Sequence, residues 1–264
     1  MTNPNLANIY LICFLADLLA NRNHVAVGAN SPAPTAAALV ARHLSKGRIE
    51  LTILGSRRYN RFSGLADFWD LASRGRFDSF FLSPGQIDGQ GNINMVGVGE
   101  YPRLDIRWPG SHGSPLLYMM IPNIILFRDV HKRRIFVPRV DFVSAAGFSP
   151  PGVYRPGGPS DLVTSLGHFT FNRDKGRFQL EAVHPGHDVA EVAANTAFEF
   201  DRPDVVPTTS PPTAATLDAL RGPALVELGE IYPQYAEKLR DALACGIMPG
   251  DGGTQEKQAG DVTA

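Results

Sequence analysis

The sequence predicts an α/β fold with an open, mainly parallel sheet flanked by helices. Short apolar runs typical of buried strands alternate with helical patterns, and proline or glycine marks their ends. A chain of 264 residues is long enough to bury a substantial core. We therefore predict a single domain over residues 1–248. Residues 249–264 are polar and glycine-rich, which predicts a disordered tail.

The first half of the chain carries the alternation most clearly. An alanine-rich helical pattern follows Ser31 and Pro32, and proline is favoured in the first turn of a helix. The run HVAVG at residues 24–28 is continuously apolar after its histidine, as expected of a strand buried on both faces. We predict helices at residues 6–21, 35–44 and 65–74, and strands at residues 24–28, 49–54 and 77–82.

The second half changes character. Short apolar runs occupy residues 123–127, 135–137 and 140–143. Strands at 169–172 and 178–182 flank a turn with glycine at its end, which predicts a hairpin. Asp188 is expected to cap a helix that runs to Thr196, and a proline-rich connector at 203–212 precedes a short helix that begins at Leu217.

Composition excludes several classes of function. The net charge of −1 provides no basic field for nucleic acid or an anionic membrane. The apolar run at residues 9–20 has no basic residue before it, contains Asp17 and is too short to span a bilayer, so a buried first helix is expected. Cys13 and Cys245 have neither disulfide nor metal-ligand spacing, which favours reduced thiols in a cytoplasmic protein without a bound metal.

A polar, glycine-rich stretch at residues 83–113 is the most informative part of the chain. Glycine is costly in regular structure unless the backbone needs a positive φ or a close approach. The same stretch carries amide and carboxylate side chains, at Gln86, Asp88, Asn92 and Asn94. Such a loop is expected to position polar groups rather than to fill a core.

The second glycine cluster, Gly110, Ser111, His112 and Gly113, permits two interpretations. Its backbone N–H groups could stabilise a developing oxyanion, with His112 as an acid, a base or a hydrogen-bond donor. The alternative is a tight turn with an exposed histidine.

Two other clusters are open to a functional and a structural interpretation. His184 and His187 have the spacing of a metal pair, but proline and glycine between them favour a structural turn. A basic run could meet the phosphates of a nucleotide-like ligand, although such a run is more often a solvated strand end or pairs with acids on a partner. Its members are Arg128, His131, Lys132, Arg133, Arg134 and Arg139. The chain contains no phosphate-binding loop and no nucleophile elbow.

Residues 6–220 resemble the β subunits of family I CoA-transferases, especially that of glutaconate CoA-transferase. The matching motifs are G-Q-I-D and G-N-I-N at residues 85–94, P-G-S at 109–111, K-R-R at 132–134, V-D-F-V at 140–143 and the turn at His184. The resemblance implies the open α/β fold of that family, which is NagB/RpiA-like. It also implies a homologous α subunit, in a heterodimer or an α2β2 heterotetramer, with the active site between the subunits. CoA enters as part of the substrate, and no other cofactor is implied.

The chain departs from the family pattern at the nucleophile. Family members attack the thioester with a glutamate at the end of the second strand and form a glutamyl–CoA thioester. Leu54 occupies that position here, and Glu50 is the nearest acid before it. The second motif, G-S-G-G in the family, reads G-S-H-G at residues 110–113.

The residues and the resemblance together lead to predicted roles. We predict that His112 is catalytic, polarising a carbonyl or enolate, and that substrate or CoA binding falls to Gln86, Asn92, Ser56 and the backbone of Gly110, Ser111 and Gly113. Branches of the family without the glutamate include the β subunit of a cholesterol ring-cleaving CoA hydrolase and a decarboxylase of a dicarboxylic acyl-CoA.

These departures predict a β subunit that acts on a steroid-derived or dicarboxylic acyl-CoA, by hydrolytic C–C cleavage, without a glutamyl–CoA intermediate. Three alternatives remain: decarboxylation, true CoA transfer through Glu50 or a partner carboxylate, and a non-catalytic scaffold subunit.

Overall fold

The computed structural model describes residues 4–60 and 62–245. The predicted C-terminal tail therefore lies outside the described residues. Eleven strands are present in this part of the chain: β1 (His24–Val27), β2 (Glu50–Ile53), β3 (Ser79–Leu82), β4 (Gln86–Ile87), β5 (Ile93–Asn94), β6 (Gly97–Glu100), β7 (Arg103–Arg107), β8 (Asn123–Phe127), β9 (Pro159–Val163), β10 (Gly167–Asn172) and β11 (Arg177–Val183).

Helices follow most of the central strands. The described helices are α1 (Pro4–Leu18), α2 (Pro32–Leu44), α3 (Leu65–Ser73), α4 (Ser114–Met120), α5 (Val189–Asn195), α6 (Ala214–Ala219), α7 (Leu225–Ile231) and α8 (Pro233–Ala244), with a π-helical turn at Leu220–Ala224. None of them is long and apolar enough to cross a membrane.

A seven-stranded sheet in the order β11-β10-β9-β8-β3-β1-β2 forms the centre. The five strands from β9 to β2 are parallel to one another, and β10 pairs antiparallel with both of its neighbours. Two small hairpins, β4–β5 and β6–β7, stand outside this sheet. The predicted fold class is confirmed.

Side chains that alternate along each strand divide the core in two. Val25 and Val27 of β1 pack in one apolar cluster with α1, α2 and α6 to α8, whereas Ala26 between them belongs to the other cluster, with α3 and α4. A strand that is buried on both faces in this way requires helices on both sides of the sheet.

Most predicted elements lie where the sequence placed them. Asp188 caps α5 by accepting a hydrogen bond from the Glu191 amide at 2.8 Å. The predicted hairpin is formed by β10 and β11. The apolar runs at 135–137 and 140–143 lie in turns, with Phe136 in a single bridge to Ile87, because this backbone pairs with the β4–β5 hairpin rather than with the sheet.

Candidate functional site

A cavity of about 740 Å³ lies at the carboxyl ends of β3 and β8. Ligands of open α/β sheets bind beyond the carboxyl ends of the strands, and the volume is within the usual range of small-molecule sites. The β6–β7 hairpin and the segment that follows β8 close the cavity. Seven apolar side chains contribute to its wall: Met95, Val98, Ile106, Trp108, Pro109, Ile135 and Val137.

Gln86 lies in the cavity wall but is 4% exposed, and its amide is engaged by neighbours. Its Nε2 donates to Asp141 Oδ2 at 3.1 Å. Its Oε1 accepts from Asn94 Nδ2 at 2.8 Å and from the Asp141 amide at 3.0 Å. Asp141 also accepts from the Gly99 amide, so this network fastens β4, β5 and β6 to one another.

Asp88 organises the polar hairpin, by which we mean residues 86–94. It is 3% exposed. Its Oδ1 accepts from the amides of Gln90 at 3.0 Å and Asn92 at 3.1 Å, and its Oδ2 accepts from Asn92 Nδ2 at 3.0 Å. Asn92 Oδ1 in turn accepts from the Gly147 amide at 3.1 Å. Asn92 is outside the cavity wall, and its side chain is bonded to the protein itself.

The basic segment, residues 128–139, supplies two cations to the cavity, Arg128 and Arg134. Arg128 Nη1 donates to Ser83 Oγ and to the Pro84 carbonyl, each at 3.3 Å. Burial lowers the pKa of Arg128, with Asp129 opposing that effect and Arg134 adding to it. The sequence favoured a solvated strand end or pairing with acids on a partner for this run, and the structure places two of its arginines in the wall of a cavity.

His131 holds the basic segment in place. Its Nδ1 lies 2.8 Å from Thr164 Oγ1 and its Nε2 lies 2.9 Å from Thr196 Oγ1. Thr196 Oγ1 donates to the Val192 carbonyl and therefore accepts from His131 Nε2–H, which fixes the neutral tautomer. Burial lowers the pKa of His131 to about 3.

The loop at residues 110–113 approaches the cavity only at Gly110. Gly110 has φ +105°, a conformation that glycine adopts without strain, and His112 has φ +46°. The His112 ring is exposed and packs against Trp69 with 5.5 Å between ring centroids. A Cβ on Gly113 would lie 2.3 Å from Trp69 Nε1, so glycine is required there for close packing. Ser111 and Gly113 are half-buried beside His112.

Leu54 follows the carboxyl end of β2, at the same end of the parallel strands as the cavity. Its amide donates to the Val27 carbonyl at 3.0 Å, and its side chain packs against the apolar cluster of α3 and α4. Glu50 begins β2, with its side chain 61% exposed and 3.7 Å from His24. Glu50 and Leu54 are four residue steps apart along β2, or about 13 Å, so Glu50 lies at the amino end of the strand, on the opposite side of the sheet's ends from the cavity.

Ser56 is buried in the turn after β2. Its Oγ accepts from the amides of Arg58 at 3.2 Å and Tyr59 at 3.1 Å. Tyr59 OH donates to Glu227, which also pairs with the side chain of His43 and forms a salt bridge with Arg58 at 3.2 Å. Helix α7 thus fixes the turn that carries Leu54 and Ser56, and neither residue lines the cavity.

The two histidines of the 184–187 turn form hydrogen bonds with different residues, so their rings do not converge on one site. His184 Nδ1 lies 2.9 Å from Thr209 Oγ1 in the core, and His187 Nδ1 lies 2.8 Å from Glu191 Oε2. Burial lowers the pKa of His184 to about 4. The described residues contain no cluster of three or more potential metal ligands. These contacts agree with the structural turn that the sequence favours.

No family model matches the chain, but individual proteins do. The β subunit of 3-oxoadipate CoA-transferase from Pseudomonas knackmussii is 31% identical over 154 residues, covering 56% of this chain and 58% of the relative. The IpdB component of a cholesterol ring-cleaving hydrolase from Rhodococcus jostii is 30% identical over 135 residues, covering 50% of this chain and 53% of the relative. The chain thus spans little more than half the length of these curated relatives.

Solved structures extend the similarity to most of the chain. The crystal structure of a Cys-to-Ser variant of the decarboxylase AibA/AibB aligns with a TM-score of 0.70 and 26% identity, covering 81% of this chain and 93% of that one. The expected resemblance to the β subunits of CoA-transferases and of the ring-cleaving hydrolases is confirmed.

Proposed function

We propose that the chain is the β-type subunit of a heteromeric enzyme that acts on an acyl-CoA thioester, without a glutamyl–CoA intermediate on this subunit. The observation that carries the proposal is Leu54. Its side chain packs in an apolar cluster at the point where the resemblance expects the nucleophile, and an alkyl group cannot attack a thioester. Glu50 lies about 13 Å away along the strand and cannot replace it.

The reaction that fits best is hydrolytic C–C cleavage of an acyl-CoA. A base on a homologous α subunit, in a heterodimer or α2β2 assembly, would take a proton from the water that attacks the substrate. His112 would donate a proton or a hydrogen bond to the developing oxyanion or enolate, together with backbone N–H groups of residues 110–113. Its exposure in the single chain is consistent with this role, since a partner subunit would enclose it.

Trapping experiments test the absence of the intermediate. The chain, assembled with its α-type partner, is incubated with acyl-CoA and then with borohydride, and peptides are analysed by mass spectrometry. We expect no reduced carboxyl group on this chain, and turnover of Leu54→Met within about twofold of wild type because no chemistry passes through the side chain. A reduced glutamate or aspartate in this chain would refute the proposal in favour of CoA transfer.

Substitution of His112 tests its role. His112→Ala should lower turnover about 10- to 1,000-fold. His112→Asn keeps a residue that tolerates positive φ and a hydrogen-bond donor, so it separates proton transfer from hydrogen bonding. His187→Ala is the matched control, because that histidine bonds Glu191 away from the cavity. Equal turnover of all four proteins would remove His112 from the mechanism and favour a scaffold subunit.

Decarboxylation is the second candidate, favoured by the similarity to AibA/AibB over most of the chain. Release of CO2 from an acidic acyl-CoA, with the thioester intact, would identify it. Neither cysteine lies in the apolar cluster that contains Leu54, so neither can supply a thiol there. Cys13 is buried in the cluster of α1 and α2, and Cys245 follows α8.

A further inference from the structure

The turn that carries His112 holds a side chain where the backbone geometry favours glycine. The Ser114 amide donates to the Ser111 carbonyl at 2.8 Å, and His112 between them has φ +46°. Histidine adopts this left-handed conformation more often than most residues with a Cβ, but only glycine does so freely. The family motif G-S-G-G has glycine at this position. The chain thus keeps an imidazole in a conformation that has to be supported by its surroundings.

Hydrogen bonds do not supply this support. In residues 4–60 and 62–245, those made by residues 110–113 stay within the turn or reach the helix that follows it, where the Leu117 amide donates to the Gly113 carbonyl at 3.2 Å. A Cβ on Gly110 would meet no atom within 4 Å, so the start of the turn has open space around it. The orientation of the His112 ring therefore depends on packing.

Trp69 of α3 provides the packing contact. The centroid of its indole lies 5.5 Å from that of the His112 imidazole, with an angle of 56° between the two ring planes. The same indole lies against the backbone of the turn, because a Cβ on Gly113 would be 2.3 Å from Trp69 Nε1 and 2.8 Å from Trp69 Cε2. One side chain thus packs against both the imidazole and the backbone next to it.

Helix α3 fixes the position of the indole. Phe68, the residue before Trp69, is 1% exposed, and its ring centroid lies 4.9 Å from that of Phe77 and 6.0 Å from that of Phe80. Phe80 belongs to the central strand β3. The helix that carries Trp69 is therefore anchored in the core, whereas the turn that carries His112 is attached only locally.

We propose that Trp69 is a positioning residue, which holds the imidazole of His112 in the orientation it needs to donate a proton or a hydrogen bond. This inference rests on the proposed function for the role of His112. Trp69 is not among the residues that line the cavity, so it acts on the reaction through His112 rather than through the ligand. Loss of the indole should lower turnover and leave ligand affinity unchanged.

Fluorine NMR measures the contact between the two rings. The chain is labelled with fluorotryptophan, combined with its unlabelled α-type partner, and titrated over the pH range in which histidine gains a proton. The chain contains two tryptophans, so Trp108 gives a second resonance, and Trp69→Phe assigns the two. We expect the Trp69 resonance to move with pH in wild type and to stay in place in His112→Asn. A movement of equal size in both proteins would overturn the inference.

A double-mutant cycle tests whether Trp69 acts through His112. Turnover by the assembled complex is measured with oxocyclohexanecarboxyl-CoA, a cyclic β-keto ester whose ring can open by hydrolysis. Trp69→Leu should lower turnover about tenfold when His112 is present, but by less than about twofold in the His112→Ala background. Trp69→Phe keeps an aromatic ring and should restore most of the loss. Equal losses in the two backgrounds would indicate a merely structural role and overturn the inference.

Binding measurements and a control variant complete the test. Glutaryl-CoA and pentanoyl-CoA are titrated calorimetrically into the complex, and Trp69→Leu should bind both within about twofold of wild type, because Trp69 lies outside the cavity wall. Asp70→Ala is the matched control: Asp70 is the next residue of α3, is exposed and pairs with Arg74, so its loss should change neither turnover nor affinity. The thermal transition of each variant, which should lie within about 2 °C of wild type, excludes misfolding.

The results distinguish failure of this inference from failure of the proposed function. Full turnover by Trp69→Leu, or weaker binding of both CoA esters by that variant, would overturn the inference and leave the proposed function intact. A wild-type complex that binds neither CoA ester and leaves the cyclic ester unchanged would refute the proposed function. In that case the NMR titration would still decide whether Trp69 holds the His112 ring.

Discussion

The polar hairpin and the basic segment border the same cavity, but their charged groups are used in opposite ways. In the hairpin, Asp88 and Gln86 are bonded on every side by the chain itself. In the basic segment, Arg128 lines the cavity, and its buried Nε has no hydrogen-bond partner among the described residues. The hairpin is thus a hydrogen-bonded frame, and the basic segment is the part of the cavity border that carries positive charge.

The largest expected effect is on the frame. Asp88→Ala removes the acceptor of two backbone amides and of Asn92 Nδ2, and these donors lie in a buried turn. The free energy of unfolding should fall by about 3 kcal/mol, measured by urea denaturation. Asp204→Ala, at an exposed connector position, should change it by less than about 0.5 kcal/mol. Similar values for the two variants would contradict a structural role for Asp88.

The pH dependence of stability tests how the basic segment is anchored. The pKa of His131 is about 3 in the folded chain and about 6.5 when unfolded, so the unfolded chain binds more protons below pH 6.5. Stability should therefore be constant above about pH 7 and fall by about 2 kcal/mol from this residue between pH 7 and pH 5. His184, with its pKa lowered to about 4, adds to the loss.

His131→Gln isolates this contribution. The variant should be less stable at pH 7, because Thr164 and Thr196 lose their partner, but it should lose less stability than wild type on acidification. Chemical denaturation at pH 7 and pH 5 provides both values. Parallel losses in wild type and variant would show that His131 is not the source of the acid sensitivity.

Ligand binding should respond to the cavity wall at Gly85. A Cβ at this position would lie 2.1 Å from the Trp108 ring, so Gly85→Ala must displace the indole. We expect about tenfold weaker binding of glutaryl-CoA and pentanoyl-CoA alike, since the apolar wall serves both esters. Gly64→Ala is the control, because no atom lies within 4 Å of its added Cβ. Unchanged affinity in Gly85→Ala would remove Trp108 from the ligand site.

The alternation of strands and helices could be predicted from the sequence because each element has a local pattern of residues. Short apolar runs such as the one in β1 and a proline entry such as Pro32 are visible within a short window. The β6–β7 hairpin was not predicted, since β7 reads RLDIR and is largely exposed, without the apolar face of a core strand. Helices α7 and α8 were not predicted either, because Gly222 and Pro223 before them break the helical pattern of the sequence.

The candidate site was predicted only in part, because it is assembled by long-range pairing. The polar hairpin was recognised from its own motif. Arg128 reaches Ser83 because β8 pairs with β3 in parallel, across 45 residues of sequence. A basic run gives no sign in the sequence of which arginine will turn inward. The partial burial of Arg128 and the absence of carboxylates from the cavity wall among the described residues are properties of the fold.

The smallest effect concerns Asn92, which the resemblance assigned to substrate binding and which the structure places outside the cavity wall. Its side chain joins Asp88 to the Gly147 amide. Asn92→Ala should therefore cost about 1 kcal/mol of stability and leave affinity for glutaryl-CoA within twofold of wild type. Gln86→Ala is the matched comparison, because that amide both holds the frame and lines the cavity, and it should lower stability and affinity together. If Asn92→Ala weakened binding tenfold with an unchanged thermal transition, Asn92 would contact substrate in the assembled enzyme and the hairpin would be more than a frame.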